Sequence, residues 1–242
     1  MPHVSVQDAG GPVWRVLGIA GSLRRGSFNR RLLEAAAACA PAGMRLGVYD
    51  GLGTIPLFDE DLESATGGGP EPVRRLRDEV AAADALLIAT PEYNWSVPGV
   101  LKNAIDWLSR PSPDEVLAGK PVAVIGASGG RWGTRLAQGA LRQVLAATES
   151  AVLPAPALFV REAERLFNPS GVLEDVATRE ALATLLARFA DWIDSVAPCA
   201  NNTHHGEMAL RADPGPPAGH SAVQADRPRR GRRHRARASP PG

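Results

Sequence analysis

Short apolar runs alternate with longer segments of helical periodicity along most of this sequence. Five runs are continuously apolar or rich in β-branched residues, as strands covered on both faces should be: Val13–Ala20, Met44–Tyr49, Ala85–Thr90, Val122–Ala127 and Val152–Val160. The predicted helices lie at about Asn29–Ala40, Glu71–Ala83, Gly99–Ser109, Gly133–Thr148 and Asp175–Val196, and residues 50–72 form a long connection. This alternation predicts an α/β fold with a five-stranded parallel sheet between layers of helices. Ligands of such sheets bind in the loops that follow the strands.

The net charge of +1 over 242 residues hides an uneven distribution. Residues 197–242 contain eight arginines against three acidic residues, and they have almost no large apolar side chains. Because such a composition cannot bury enough apolar surface to fold, we predict a disordered basic tail there. A disordered leader over residues 1–12 and one folded domain over residues 13–196 complete the expected organisation. The tail lacks the aromatic residues that stack on bases, so a nucleic-acid partner is not expected.

Several kinds of chemistry are excluded from the predicted domain by its composition. All five histidines lie outside residues 4–203, so a reaction within that stretch must proceed without imidazole. The two cysteines, Cys39 and Cys199, provide neither a disulfide framework nor a paired-thiol metal site. No apolar run approaches the roughly 20 residues of a membrane helix, and no secretion signal precedes the first strand. We therefore expect a cytoplasmic protein without a metal or a membrane partner.

The loop after the first predicted strand, residues 21–29, has the composition of an anion site. It combines the hydroxyls of Ser22 and Ser27, the guanidinium of Arg24, the amide of Asn29 and the free N–H groups of a helix start. It matches neither the Walker A pattern nor the dinucleotide pattern Gly-x-Gly-x-x-Gly. Phosphate is the expected ligand. The alternative is an ordinary helix entry in which Ser27 or Asn29 is the N-cap.

Two further loops follow the third and fourth predicted strands. Residues 90–99 contain two prolines and a Tyr-Asn-Trp cluster, a rigid aromatic surface that suits a flat heterocycle or, alternatively, covers the core. Residues 126–133 contain Ser128, Gly129 and Gly130, and glycines allow a ligand to approach backbone N–H groups closely. This loop also spells Gly-x-Ser-x-Gly, which makes a hydrolase with Ser128 as nucleophile a remote alternative. Its histidine would have to come from the predicted disordered tail, where catalytic geometry cannot be maintained.

Taken together, the three loops resemble the NAD(P)H-dependent FMN reductase family, which includes bacterial quinone, azo-dye and chromate reductases. The matching segments are Gly21-Ser22-Leu23-Arg24-x-x-Ser27-x-Asn29, Pro91-Glu92-Tyr93-Asn94-x-Ser96-x-Pro98-Gly99-x-Leu101-Lys102-Asn103-Ala104-Ile105-Asp106-Trp107 and Ser128-Gly129-Gly130. The resemblance extends over about residues 13–196. It implies a flavodoxin-like three-layer sandwich with the strand order 2-1-3-4-5.

The resemblance also implies a bound FMN, reduced by NADPH or NADH and oxidised by a small acceptor such as a quinone, azo compound, metal oxyanion or free flavin. By this resemblance, the FMN phosphate would be held by Ser22, Arg24, Ser27 and Asn29. One side of the isoalloxazine would be lined, largely through backbone atoms, by Pro91, Glu92, Tyr93 and Asn94. The third loop would approach the ring with Ser128, Gly129 and Gly130. No catalytic residue is expected on the protein, because the N5 atom of the flavin carries the chemistry.

A homodimer or homotetramer is implied as well, with the helix after the second loop packed against a partner subunit. Val100, Leu101, Ile105 and Leu108 form an apolar stripe on that helix, which an intrachain core face explains equally well. Glu92 is expected either to pair with an arginine across that interface or to be solvated. The main alternative function is a flavodoxin-type electron carrier that binds FMN without a nicotinamide site. Such carriers are commonly strongly acidic, whereas the predicted domain is only mildly acidic.

Overall fold

A computed structural model describes residues 13–110 and 114–200, with side chains up to Val196. The predicted leader and most of the predicted tail lie outside these residues. The strands are β1 Trp14–Ala20, β2 Met44–Tyr49, β3 Ala85–Ala89, β4 Pro121–Ala127, β5 Ala151–Val152 and β6 Leu158–Val160. The α-helices are α1 Phe28–Ala38, α2 Glu60–Thr66, α3 Glu71–Ala82, α4 Gly99–Leu108, α5 Arg135–Ala147 and α6 Val176–Ala200. None of these described helices has the length and apolar composition needed to cross a membrane.

The strands form one parallel sheet in the order β2-β1-β3-β4-β5, with β6 also paired to β4. Helices α1 and α6 pack on one face, where Leu32 and Leu186 are buried in the same cluster. Helices α3, α4 and α5 pack on the other face. In β3, Leu87 faces the first cluster and Leu86 the second, since side chains alternate along a strand. The predicted three-layer sandwich with strand order 2-1-3-4-5 is therefore confirmed.

The parallel register brings the ends of three strands to one place. Ala20 at the end of β1 pairs with Ala89 at the end of β3, and Ala89 pairs with Ile125 in β4. The loops that follow these strands therefore start side by side. We call this side of the sheet the carboxyl edge, and the opposite side, where the strands begin, the amino edge.

The predicted fifth strand, Val152–Val160, is divided into two short strands. Val152 of β5 pairs with Val122 of β4, and Leu158 of β6 pairs with Ile125 of β4. Pro154 lies between the two pairs together with a second proline, and a proline has no N–H group to donate to a strand ladder. The sheet consequently has six strands among the described residues, one more than predicted.

The connection predicted over residues 50–72 contains the helix α2 and a 3₁₀ turn at Leu52–Thr54. Asp59 is the N-cap of α2, and its Oδ1 accepts a hydrogen bond from the N–H of Asp61 at 2.8 Å. The helix ends at Gly67, whose φ of 64° is left-handed and favours glycine. The acidic run at the start of α2 is thus a helix N-terminus, where negative charge is favourable.

The apolar stripe of helix α4 faces the core of its own chain. Leu101, Ile105 and Leu108 are buried against β3, β4 and α5. Trp107 is buried as well, and its indole N–H donates to the carbonyl of Pro56 at 2.9 Å. The intrachain alternative for this stripe is therefore correct, and the stripe does not indicate a surface for a partner subunit.

Candidate functional site

Three loops meet at the carboxyl edge, and side chains connect each loop to a neighbouring segment. The hydroxyls of Ser22 and Tyr93 lie 3.2 Å apart, which joins the loop after β1 to the loop after β3. Asn29 at the start of α1 is hydrogen-bonded to Ala127 at the end of β4. The structure thus brings together the three segments that the sequence singles out.

The loop after β1 forms a cluster of hydrogen-bond donors at the start of α1. Ser27 is the N-cap, since its Oγ accepts from the N–H of Arg30 at 3.2 Å, as one alternative for this loop predicted. Helix geometry leaves the N–H groups of Phe28 and Asn29 without an intrahelical acceptor. The first turn of α1 carries no acidic side chain, and the guanidinium of Arg24 stands 5.8 Å from the centre of the Phe28 ring. This donor set fits a dianionic phosphate.

Asn29 uses its side chain within the protein. It is 2% exposed, its Nδ2 donates to the carbonyl of Ala127 at 2.9 Å, and its Oδ1 accepts from the N–H of Ala127 at 2.9 Å. A side chain committed to both backbone groups of one residue is poorly placed to contact a phosphate as well. Asn29 instead fixes the helix start of the first loop against the beginning of the third.

A tight turn at residues 93–96 shapes the loop after β3. The backbone groups of Tyr93 and Ser96 exchange two hydrogen bonds, at 3.0 and 3.2 Å. The two central residues, Asn94 and Trp95, have φ values of 50° and 65°. Left-handed backbone is tolerated by asparagine but rare for tryptophan, and such outliers concentrate at functional sites. The turn leaves the Trp95 side chain 79% exposed, next to the half-exposed ring of Tyr93.

Glu92 caps a helix of its own chain. Its Oε2 accepts hydrogen bonds from the N–H groups of Leu136 and Ala137 at 2.8 and 3.0 Å. Thr134, the N-cap residue of α5, makes no side-chain capping bond, so Glu92 satisfies this helix start from the neighbouring loop. Neither predicted role of the Glu92 carboxylate, a bond across a subunit interface or full solvation, describes this arrangement. The peptide backbone of Glu92 stays at the carboxyl edge.

The loop after β4 is held by the segment that follows β6. The N–H of Ser128 donates to the carbonyl of Val160 at 3.0 Å, and the carbonyl of Ser128 accepts from the N–H of Ala163 at 3.0 Å. Gly129 and Gly130 are exposed, and no hydrogen bond among the described residues uses their N–H groups. The loop therefore presents two free backbone donors on a fixed support.

The hydrolase alternative has no support in this geometry. The hydroxyl of Ser128 donates to the carbonyl of Gly133 at 3.1 Å, so the serine is engaged with backbone. Residues 13–110 and 114–200 contain no histidine that could activate it. In the same residues, no group of side chains has the composition of a metal site.

Gly126, the penultimate residue of β4, permits the close packing beneath these loops. A Cβ atom at this position would collide with the side chain of Thr134 and with the carbonyl oxygen of Thr90. Both threonines are fully buried, so neither can move aside easily. The end of β4 can thus lie against the start of the second loop only because residue 126 has no side chain.

A family model described as NADPH-dependent FMN reductase matches residues 14–165. The NAD(P)H-dependent FMN reductase of Pseudomonas aeruginosa is 46% identical over 179 residues, which cover 74% of this chain and 95% of that protein. This chain belongs to the NADPH-dependent FMN reductase family. A quinone reductase of Escherichia coli K12 is 39% identical over 183 residues, covering 75% of this chain and 96% of the relative.

Among solved structures, this FMN reductase is similar to FerB, a flavoenzyme NAD(P)H:(acceptor) oxidoreductase from Paracoccus denitrificans. The TM-score is 0.69 at 34% identity, and the match covers 76% of this chain and 98% of FerB. Family membership confirms the predicted enzyme class, an oxidoreductase that uses FMN and NAD(P)H and a small-molecule acceptor.

Several residues at the carboxyl edge are absent from the set predicted to bind the cofactor. Trp95 and Trp132 are large exposed aromatics beside the loops, and Arg131 and Arg161 lie near the glycine pair. The Tyr-Asn-Trp cluster of the second loop would have been enough to include Trp95 among the predicted site residues. Arg161 follows β6, which pairs with β4. Its position beside the loop after β4 depends on this pairing and could not be read from the local sequence.

Proposed function

We propose that this FMN reductase transfers two electrons from NAD(P)H to a quinone-type acceptor at the carboxyl edge. The observation that carries the proposal is a cluster of hydrogen-bond donors at the start of α1 and at Gly129 and Gly130. Bound FMN supplies the chemistry, since it accepts hydride from a nicotinamide and passes the electrons onward. The net reaction converts NAD(P)H, a proton and a quinone into NAD(P)⁺ and a hydroquinone.

In this proposal the residues of the chain bind and orient. Ser22, Arg24 and Ser27 donate to the FMN phosphate together with the N–H groups at the start of α1. Asn29 positions that helix start, and the backbone of Pro91, Glu92, Tyr93 and Asn94 lines one side of the ring. Ser128 holds the third loop in shape. The N–H groups of Gly129 and Gly130 donate to the ring edge that becomes negative on reduction.

A quinone is favoured as the acceptor for two reasons. The half-exposed ring of Tyr93 and the exposed ring of Trp95 border the site and offer flat surfaces to a flat molecule. Relatives point the same way, since one named 2-hydroxy-1,4-benzoquinone reductase, from a Burkholderia species, is 41% identical over 175 residues. Azo compounds, metal oxyanions and free flavin are the acceptors against which a quinone must be compared.

The proposal includes a cytoplasmic location and a homodimer or homotetramer. The low cysteine content agrees with a reducing compartment. Large apolar side chains exposed at the carboxyl edge, including Trp95 and Leu136, agree with an interface between subunits there. Light scattering of the purified protein measures the number of subunits directly.

Anaerobic spectroscopy tests the proposed reaction. Purified protein should be yellow, NAD(P)H should bleach it, and a benzoquinone should restore the colour faster than an azo dye, chromate or free FMN does. Protein that neither binds added FMN nor oxidises NAD(P)H contradicts the proposal as a whole. Faster turnover with another acceptor contradicts the choice of a quinone.

Two neighbouring arginines provide a matched test of the phosphate site. Arg24 stands over the start of α1, whereas Arg25, which is also exposed, makes no side-chain hydrogen bond or ion pair within the described residues. A charge-assisted hydrogen bond contributes about 1.5–3 kcal/mol, so Arg24→Ala should weaken FMN binding by about 10-fold to 100-fold. Arg25→Ala should change it less than about twofold. Equal effects of both variants on the FMN dissociation constant would argue against a specific role for Arg24.

A further inference from the structure

An open cleft of about 440 Å³ lies directly beside the glycine pair of the third loop. Its lining residues are Arg131, Arg161, Glu162, Arg165 and Leu166. The N–H of Glu162 donates to the carbonyl of Gly130 at 3.1 Å, so the cleft and the glycine loop share a wall. A molecule bound across the glycine loop could therefore extend into the cleft.

Positive charge exceeds negative charge in this cleft. Three of its lining residues are arginines, and its acidic residue, Glu162, is paired with Arg165 at 2.8 Å. Neither Arg131 nor Arg161 has a carboxylate within 4.0 Å among the described residues. Glu164 lies on the glycine side, where its Oε1 would be 3.6 Å from a Cβ placed on Gly129. Two guanidinium groups in the cleft are thus free to bind an anion.

The backbone and aromatic neighbours hold these arginines in place. The guanidinium of Arg131 lies over the ring of Trp132, 4.8 Å from its centre, a cation–π contact that positions the arginine side chain. The stem of Arg161 packs against Gly133, since a Cβ placed there would lie 3.4 Å from its Cγ. Glu162 has a left-handed φ of 46°, an uncommon conformation for a residue with a side chain. Its bond to Gly130 fixes the chain between Arg161 and Arg165.

We propose that this arginine cleft binds the phosphate groups of the hydride donor, and that Arg131 and Arg161 recognise the 2′-phosphate that distinguishes NADPH from NADH. The proposal rests on the function proposed above, because it concerns the donor of that reaction. Arginine binds phosphate through paired N–H groups in a fixed plane, which suits a terminal phosphate. The exposed ring of Trp132, 67% accessible, offers a stacking surface for the adenine beside that phosphate.

Direct binding of adenosine 2′,5′-diphosphate by calorimetry tests the site apart from turnover. Arg131→Ala and Arg161→Ala should each weaken this binding by about 10-fold or more, as loss of a charge-assisted contact predicts. Binding of adenosine 5′-monophosphate, which lacks the 2′-phosphate, should change less than about threefold. Arg188→Ala is the matched control, since Arg188 is an exposed arginine of α6 that pairs only with Asp191 in the described chain.

Kinetics on the FMN-loaded enzyme provide the second measurement. Each variant should raise KM for NADPH by about 10-fold while kcat and KM for NADH change less than about threefold, since the affected contact is absent from NADH. The FMN content of both variants should match that of the wild type.

Unchanged diphosphate binding and an unchanged NADPH to NADH ratio in both variants would overturn the inference. An equal loss with both nicotinamides would also overturn it, because the arginines would then not recognise the 2′-phosphate. Colourless protein that still binds the diphosphate through these arginines would contradict the proposed function alone and leave the cleft assignment standing.

Discussion

At the amino edge of the sheet, polar side chains hydrogen-bond the strand starts to their neighbours. At the carboxyl edge, polar side chains connect the loops, and backbone N–H groups of those loops are left without an acceptor among the described residues. The amino edge is fastened by Asp84, which accepts from the N–H of Arg15 at 2.7 Å, and by Lys120, which donates to the carbonyl of Ala83 at 2.7 Å. The indole of Trp192 donates to a β5 carbonyl at 2.8 Å. These contacts connect the starts of β1, β3, β4 and β5 to neighbouring strands and to α6.

The carboxyl edge uses its polar side chains differently. Asn29 and Glu92 each bind backbone groups of the next loop or helix, so they fix the spacing between loops without using the donors that face outward. Arg24, Arg131 and Trp95 are left exposed on that support. We infer that ligands bind at the carboxyl edge, whose shape depends on a few contacts between its loops.

Gly126→Ala should produce the largest effect, because it disturbs those interior contacts most directly. The new Cβ would collide with a backbone carbonyl at residue 90 as well as with the Thr134 side chain. Overpacking a rigid core costs about 1–3 kcal/mol, and a backbone clash places this variant at or above the upper end. Urea unfolding should show a loss of about 3 kcal/mol, and purified protein should have lost most of its FMN.

Gly47→Ala is the control for that variant. Gly47 also lies in a strand, β2, but a Cβ there would meet nothing within 4 Å. We expect its unfolding free energy to change by less than about 1 kcal/mol and its FMN content to stay constant. A Gly126→Ala protein with wild-type stability and FMN content would show that the carboxyl edge tolerates displacement.

Asn29→Ala should have the next largest effect. It leaves the N–H and the carbonyl of Ala127 without partners in the buried interior, at a cost of about 2–3 kcal/mol in unfolding free energy. The start of α1 loses its connection to β4, so FMN affinity should fall by about 10-fold or more, although no proposed phosphate donor is removed.

Asn103→Ala is a chemically matched control outside the three loops of the candidate site, since its partners lie in the segment that follows β2. Its amide also makes two backbone bonds, donating to Pro56 and accepting from Phe58, both at 2.8 Å. This variant should lose stability but retain FMN affinity within about threefold. Parallel losses of stability and affinity in both variants would mean that FMN binding reports global stability, and the distinction between the edges would fail.

The alternation of strands and helices was predictable because apolar periodicity distinguishes buried strands from amphipathic helices, whereas the strand order followed from the family resemblance. Two features of the fold were not predicted from the sequence. Helix α2 has only seven residues, and its first turn is acidic, so its periodicity is too short to detect. The fifth strand was predicted as continuous, but Pro154 and the second proline near it cannot donate to a strand ladder and divide it.

The candidate site was predictable as a set of loops but not as a set of contacts. Glycine, hydroxyl and arginine content identified the donors of the first and third loops. Glu92 caps a helix whose N–H groups lie 44 residues further along the chain, and Asn29 binds a strand end 98 residues away. Spacing in sequence does not specify such partners, because they arise from the strand order and from the packing of loops.

The amino edge yields the smallest prediction, a pH dependence of stability. Burial lowers the pKa of Lys120 from its ordinary value of 10.5, with Asp84 raising it and Arg15 lowering it by smaller amounts. The folded state therefore binds fewer protons than the unfolded state in the pH range just below 10.5, so unfolding takes up a proton there. The contribution of Lys120 to the free energy of unfolding is therefore fully present above pH 10.5 and is lost as the pH falls through the pKa of the folded state.

The difference between wild type and Lys120→Met isolates this contribution. In the pH range just below 10.5 the wild-type unfolding free energy should rise with pH relative to the variant, by less than the ceiling of about 1.4 kcal/mol per pH unit for one proton. Taking the difference removes the opposing effect of Tyr49, whose pKa burial raises. Equal slopes in wild type and Lys120→Met would place the Lys120 ammonium in solvent and remove one of the contacts that distinguish the amino edge.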